Sequence, residues 1–189
     1  MPKVFVENKD STIIHMFVTR GWTNVSLPQQ ADLICFSGGS DVDPSLYDEE
    51  NTHSNSNLAR DIHCAGLYHL YEGTPMVGIC RGGQFLNVIN GGKMIQHYPG
   101  HAISGKHTMN MPEGRHVQVT STHHQVMIPA DDAELMGWGT DKNEVEVLFY
   151  EDEDCLCFQP HPEYVGKDDP CQVLFFQLLW ECFGLGVMQ

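Results

Sequence analysis

Short, wholly apolar runs alternate along the chain with longer amphipathic stretches. Residues 33–36 and 76–79 are four-residue apolar runs closed by small or polar residues, the pattern of strands buried on both faces. Residues 4–6 read as a first strand, and 25–27 as a weak one. Helical spacing covers 11–20, with Ile13, Ile14, Phe17 and Val18 apolar and Gly21 as the stop. A second helix covers 60–72, with Ile62, Leu67, Leu70 and Tyr71 on its apolar side and Pro75 beyond its end. A third covers 82–90 and stops at Gly91-Gly92. The last spans 173–183, capped by Asp168 or Asp169, with Pro170 in its first turn. Leu174, Phe175, Phe176, Leu178, Leu179 and Trp180 make it apolar nearly all round, as in a core helix or a homodimer contact.

The middle of the chain reads differently. Strands are expected at 93–97 and 116–120. Residues 144–150 and 155–159 alternate around the acidic turn 151–154 and predict a hairpin. The polar stretch 48–57 reads as a mobile loop. No repeat or linker interrupts 1–189, so one domain is expected: an α/β sheet covered on both faces, with a β-rich middle.

Composition narrows the function. The 189 residues suffice to bury about 70% of the unfolded surface. Acidic residues outnumber basic ones 25 to 10, for a net charge of −15. That balance argues against nucleic acid and anionic membrane as partners, and it tolerates cationic substrates such as those with polyamine-like leaving groups. No run approaches the roughly 18–20 apolar residues of a membrane span, and the N-terminus lacks signal-peptide features. Seven cysteines, several in apolar runs, fit a reduced cytoplasmic protein. His97, His101, His107 and His116, with Cys155 and Cys157, match no zinc-ligand spacing, so no metal or other cofactor is expected. Cys155 and Cys157 straddle Leu156, share a face with Gln159 and read as packed side chains.

The chemistry concentrates in two segments. In Gly78-Ile79-Cys80-Arg81-Gly82-Gly83-Gln84 an apolar strand runs into a cysteine, and small residues then open a helix. This is the pattern of a strand-turn-helix elbow that exposes a nucleophile. A helix N-terminus favours the thiolate. In Gln159-Pro160-His161-Pro162-Glu163, residues two apart in extended backbone point the same way, so His161 and Glu163 can face one site. A histidine oriented by a carboxylate is the base a thiol needs. Read blandly, these are a buried structural cysteine and a proline-rich surface turn, and that reading leaves the acid at the matching spacing unexplained.

On these motifs the sequence resembles the class I glutamine amidotransferase superfamily. Gly38-Gly39-Ser40-Asp41-Val42-Asp43-Pro44 with Tyr47, Arg60-Asp61, Asn87-Val88, Gly91-Gly92 and Ser121-Thr122-His123-His124-Gln125 resemble its γ-glutamyl hydrolase branch. The resemblance implies a flavodoxin-like three-layer sandwich: a mostly parallel central sheet with helices on both faces and a β-rich insertion. It implies that Cys80 attacks a γ-glutamyl carbonyl, His161 shuttles the proton and Glu163 orients His161. The backbone N–H groups of Gly39 and Arg81 would form the oxyanion hole. Gln84 and His123 would hold the glutamyl head group, with Tyr47 in reach of the substrate. Asp41 either pairs with Arg81 or caps a turn, and Asp43, Pro44 and Tyr47 shape the same loop. Three features depart from the pattern: a reduced segment before Leu33, Thr120 in place of the branch's asparagine, and a Gly-, His- and Met-rich segment at 98–115.

Three functions compete. The first is a free-standing cysteine hydrolase of small-molecule γ-glutamyl amides, working through a glutamyl thioester. The second is a glutaminase subunit that delivers ammonia to a separate synthase partner. The third is a binding module that keeps the fold without chemistry, against which an intact Cys80, His161 and Glu163 argue.

Overall fold

The computed structural model describes residues 1–99 and 105–186. Its strands are β1 (Lys3–Val6), β2 (Thr23–Asn24), β3 (Leu33–Phe36), β4 (Met76–Ile79), β5 (Lys93–Ile95), β6 (Gly105–Asn110), β7 (His116–Ser121), β8 (Val126–Ile128), β9 (Glu134–Trp138), β10 (Val145–Tyr150) and β11 (Cys155–Phe158). The helices are α1 (Ser11–Thr19), α2 (Leu58–Leu70), α3 (Arg81–Ile89) and α4 (Pro170–Phe183). The sheet runs β2-β1-β3-β4-β11-β10-β9-β6-β7, with β8 on β10 and β5 on β8.

The first five strands of that order are parallel. From β10 onward every pairing is antiparallel, so the sheet as a whole is mixed. The parallel strands are buried on both sides, and alternation sorts their side chains into two cores. Leu33, Cys35, Val77, Ile79, Leu156 and Phe158 face α1 and α4. Ile34, Phe36, Met76, Cys155 and Cys157 face α2 and α3. This is the expected three-layer arrangement, and Cys155 and Cys157 are packed as their spacing implied.

Local chemistry sets the helix ends. The Asp10 side chain accepts from Thr12 N and Ile13 N at 2.9 and 3.1 Å to start α1. Asp169 accepts from Cys171 N at 3.0 Å, and Gly184 closes α4 at φ 66°. The expected hairpin forms, with Val147 opposite Phe158 and Tyr150 opposite Cys155.

Several expectations shift. The weak strand lies at Thr23–Asn24, parallel to β1, and Val25 N still donates to Val4 O at 2.9 Å. The short β2 forms one edge of the sheet. The loop at 48–57 is irregular but pinned. Buried Gln96 accepts from Thr52 N and His53 N at 2.9 and 3.3 Å and donates to Glu50 O at 2.8 Å. β6 lies in the segment that resembled nothing, while His101 lies outside the described residues. No helix among the described residues is long and apolar enough to cross a membrane.

Candidate active site

β4 lies inside the parallel set, between β3 and β11, and Cys80 follows its last residue. Crevices at the carboxyl ends of such strands are where open α/β sheets bind ligands. Cys80 has φ 51° and ψ −112°, a conformation that costs a non-glycine residue about 1–3 kcal/mol. Two backbone bonds enforce it: Cys80 N donates to Phe158 O at 2.8 Å, and Gln84 N donates to Cys80 O at 3.0 Å. The surrounding glycines are required by close approach. A Cβ on Gly78 would lie 2.1 Å from the Gly82 carbonyl carbon, and one on Gly82 would lie 2.1 Å from Phe36 O. The first turn of α3 therefore presses directly on β3 and β4. Cys80 keeps 9% exposure, so the thiol stands at the edge of the core.

His161 follows β11 and meets this thiol. A Cβ on Gly38 would sit 3.0 Å from His161 Cε1 and 3.9 Å from Cys80 Cβ, which places that glycine against both. His161 Nδ1 and Glu163 Oε1 are 2.6 Å apart. The backbone of His161 is fixed separately, since His161 N donates to Thr120 Oγ1 at 2.6 Å. The Tyr164 ring, 62% exposed, stacks on the imidazole at 4.3 Å between centroids and 3° between planes. Burial pushes the imidazole pKa down, but Cys80 and then Glu163 outweigh it and push it up to about 10. A thiol next to an imidazole that is backed by a carboxylate can trade a proton and attack an electrophilic carbonyl.

The remaining expected residues divide. Arg81 opens α3, so its N–H sits at a helix N-terminus, while its guanidinium is buried against Asp61. Asp41 does not pair with Arg81. It accepts from Asn55 N at 2.8 Å and lies 3.2 Å from His124 Nε2, the turn-holding alternative. Helix α2 brings Asp61 to the elbow, where it also accepts from Asp43 N at 3.0 Å. Gln84 is buried and donates to Gln159 Oε1 at 3.1 Å, and Gln159 Nε2 donates to Cys80 Sγ at 3.6 Å. His123 is also buried, with Nδ1 2.9 Å from Gln125 O and Nε2 3.4 Å from Glu146 Oε1. His107 lies 3.1 Å from the same oxygen. Burial raises the Glu146 pKa, and the two histidines more than reverse it, holding it below the usual carboxylate range. Tyr47 is packed in the core cluster on the α3 side. Among the described residues no group of three or more His, Cys, Asp or Glu side chains is arranged to hold a metal ion.

Sequence reasoning missed Gln159, Thr120 and Tyr164 as neighbours of the thiol and imidazole. Gln159 was findable: it precedes His161 by two in an extended segment, so it shares that face. Thr120 registered only as a departure from a pattern. Its bond to His161 N depends on β7 reaching the end of β11, which no local signal carries.

The NtpR protein of Enterococcus hirae is 29% identical over 132 residues, covering 66% of this chain and 52% of that protein. The carbamoyl phosphate synthase small chain of Pyrococcus furiosus is 30% identical over 153 residues, covering 80% of this chain and 41% of that one. The chain thus spans about half the length, or less, of these relatives. A glutamine amidotransferase crystal structure from Thermotoga maritima superposes with a TM-score of 0.62 at 16% identity, covering 95% of this chain and 82% of that one. That likeness concerns the fold. Residues 12–163, which hold both the elbow and the His-Pro-Glu segment, match Peptidase C26. The chain therefore belongs to the Peptidase C26 family, within the class I glutamine amidotransferase-like superfamily.

Proposed function

We propose that the protein hydrolyses a γ-glutamyl amide through a thioester on Cys80. The observation that carries the reading is His161 held between the Cys80 thiol and Glu163, with its pKa raised by both. Cys80 passes its proton to His161 and its sulfur attacks the γ-carbonyl carbon. The oxyanion that forms is met by the N–H groups of Gly39 and Arg81, the latter at the N-terminus of α3. The C–N bond then breaks, and His161 protonates the departing amine. Water attacks the thioester, His161 takes its proton, and glutamate leaves with the thiol restored. Glu163 holds the imidazole with Nε2 free for these transfers. Gln84 and His123 are engaged with Gln159 and Glu146, so their part in holding the glutamyl head group runs through those partners. Tyr47 shapes the loop around Asp43.

A second reading has its own support in the likeness to the P. furiosus synthase small chain. In it the same site releases ammonia from glutamine for a synthase partner. The deciding experiment measures glutamate release from L-glutamine and from a panel of γ-glutamyl amines, with Cys80→Ala as control. Preference for a γ-glutamyl amine supports the free-standing hydrolase. Slow release confined to glutamine supports the subunit. Wild-type rates in Cys80→Ala sink both.

A further inference from the structure

Helix α2 begins beside the elbow, and its first turn carries Arg60 and Asp61, whose directions differ by about 100° around the helix axis. Arg60 reaches the segment after β3. Its Nη1 donates to Gly38 O at 2.9 Å, and its Nη2 donates to Ser37 O and Ser37 Oγ at 3.0 Å each. Glu7, just beyond β1, braces the guanidinium, with Oε2 2.7 Å from Nη2 and Oε1 3.3 Å from Nε. The Ser37 hydroxyl donates to the same Glu7 oxygen at 3.2 Å. The two side chains are 13% and 3% exposed. Asp61 turns the other way. Its Oδ1 takes the Arg81 guanidinium, and its Oδ2 accepts from Asp43 N at 3.0 Å.

A buried ion pair is costly to desolvate and is seldom the best source of stability. Here the donors of Arg60 grip two successive backbone carbonyls. In a trans peptide the C=O and N–H point opposite ways. Holding Gly38 O toward Arg60 therefore turns Gly39 N–H away from it, and Gly38 itself lies against Cys80 and His161. Gly39 has φ +139°, and a Cβ there would sit 2.4 Å from Arg60 Nη1. A glycine is needed for the conformation and for the approach of the guanidinium.

We infer that Arg60, braced by Glu7, and its neighbour Asp61 are positioning residues. Together they fix two backbone N–H groups, Gly39 and Arg81, in one geometry around Cys80. None of the three touches the reacting atoms. One helical turn holds both halves of the proposed oxyanion hole, so their spacing is set by adjacent residues rather than by two separate loops. The inference rests on the hydrolytic reading above.

Arg60→Lys keeps a cation beside Glu7 but loses the fork. Against the best γ-glutamyl amide, kcat should fall roughly 100-fold, the scale of a lost oxyanion donor, while KM stays close to wild type. Alkylation of Cys80 by iodoacetamide, which needs the thiol and its base but no oxyanion donor, should keep its rate. Gly39→Ala, which displaces the guanidinium, should reproduce that split. Amide exchange across residues 37–41 should quicken in Arg60→Lys and stay unchanged elsewhere. If Arg60→Lys does not fold, the charge-neutral pair Glu7→Gln with Arg60→Gln carries the same measurements. Unchanged kcat, or alkylation falling in step with kcat, overturns the inference. Should the wild type turn over no γ-glutamyl amide, the hydrolytic reading fails instead. Exchange across 37–41 still decides whether Arg60 holds the segment, and unchanged exchange overturns the inference there too.

Discussion

At Cys80 the chain accepts strain to present a thiol. A residue at φ 51° and ψ −112° sits more easily as glycine. In helices alanine is ordinarily favoured over glycine by about 1 kcal/mol. At this position the order should reverse: Cys80→Gly should be more stable to urea than Cys80→Ala, by about 1–2 kcal/mol. Neither variant should turn over. The partners of the thiol differ in role. In the proposed reaction His161 moves the proton and Glu163 orients the ring, so His161→Ala should lose far more kcat than Glu163→Gln. Equal losses in steady-state assays would mean that Glu163 does more than orient the ring.

At the scale of elements, the elbow depends on how tightly α3 is seated. A methyl at Gly82 meets the backbone of Phe36, which side-chain rotation cannot relieve. Gly82→Ala should therefore lower stability by about 1–3 kcal/mol or more. Gly66 is exposed within α2, and a methyl there would meet nothing within 4 Å, so Gly66→Ala should stabilise by about 0.5–1 kcal/mol. Thermal melts of the two variants should move in opposite directions. The same contrast explains what was legible beforehand. β3, β4 and β11 announce themselves because both faces are buried and nearly every residue is apolar. β6 does not, because Gly105–Asn110 is largely polar and only Met109 is deeply buried. β9 carries Gly137, which packs so closely that a Cβ there would lie 2.7 Å from Met109 Sδ. Cys80, His161 and Glu163 were legible because each lies in a short motif with its own backbone logic. The contacts of Arg60, Glu7 and Thr120 were not, because they join the β1 end, α2 and β7 to segments distant in sequence.

For the whole molecule, two buried groups place limits on pH. The His161 pKa is raised from 6.5 to about 10, so the folded state binds that proton more tightly than the unfolded chain. Its contribution to stability is full below 6.5 and is lost as pH rises through about 10. Glu7 runs the other way. Burial raises its pKa, but Arg60 and Ser37 hold it below the ordinary 4.5, so its contribution is present above 4.5 and lost as pH falls through the lowered value. Urea unfolding across pH should show both slopes. His161→Ala should flatten the alkaline one and Glu7→Gln the acid one. With a net charge of −15, self-repulsion also opposes compactness, and moderate salt should raise the melting temperature.

The pairing of β4 with both β3 and β11 also has a consequence in time. Cys80 N bonds to Phe158 O, and the imidazole arrives only with residue 161. A chain growing from its N-terminus therefore carries the thiol long before it carries the base. The elbow cannot be locked until β11 inserts beside β4. During synthesis the thiol waits without its partner, and the arrangement around Cys80 forms only after residue 163 has been added.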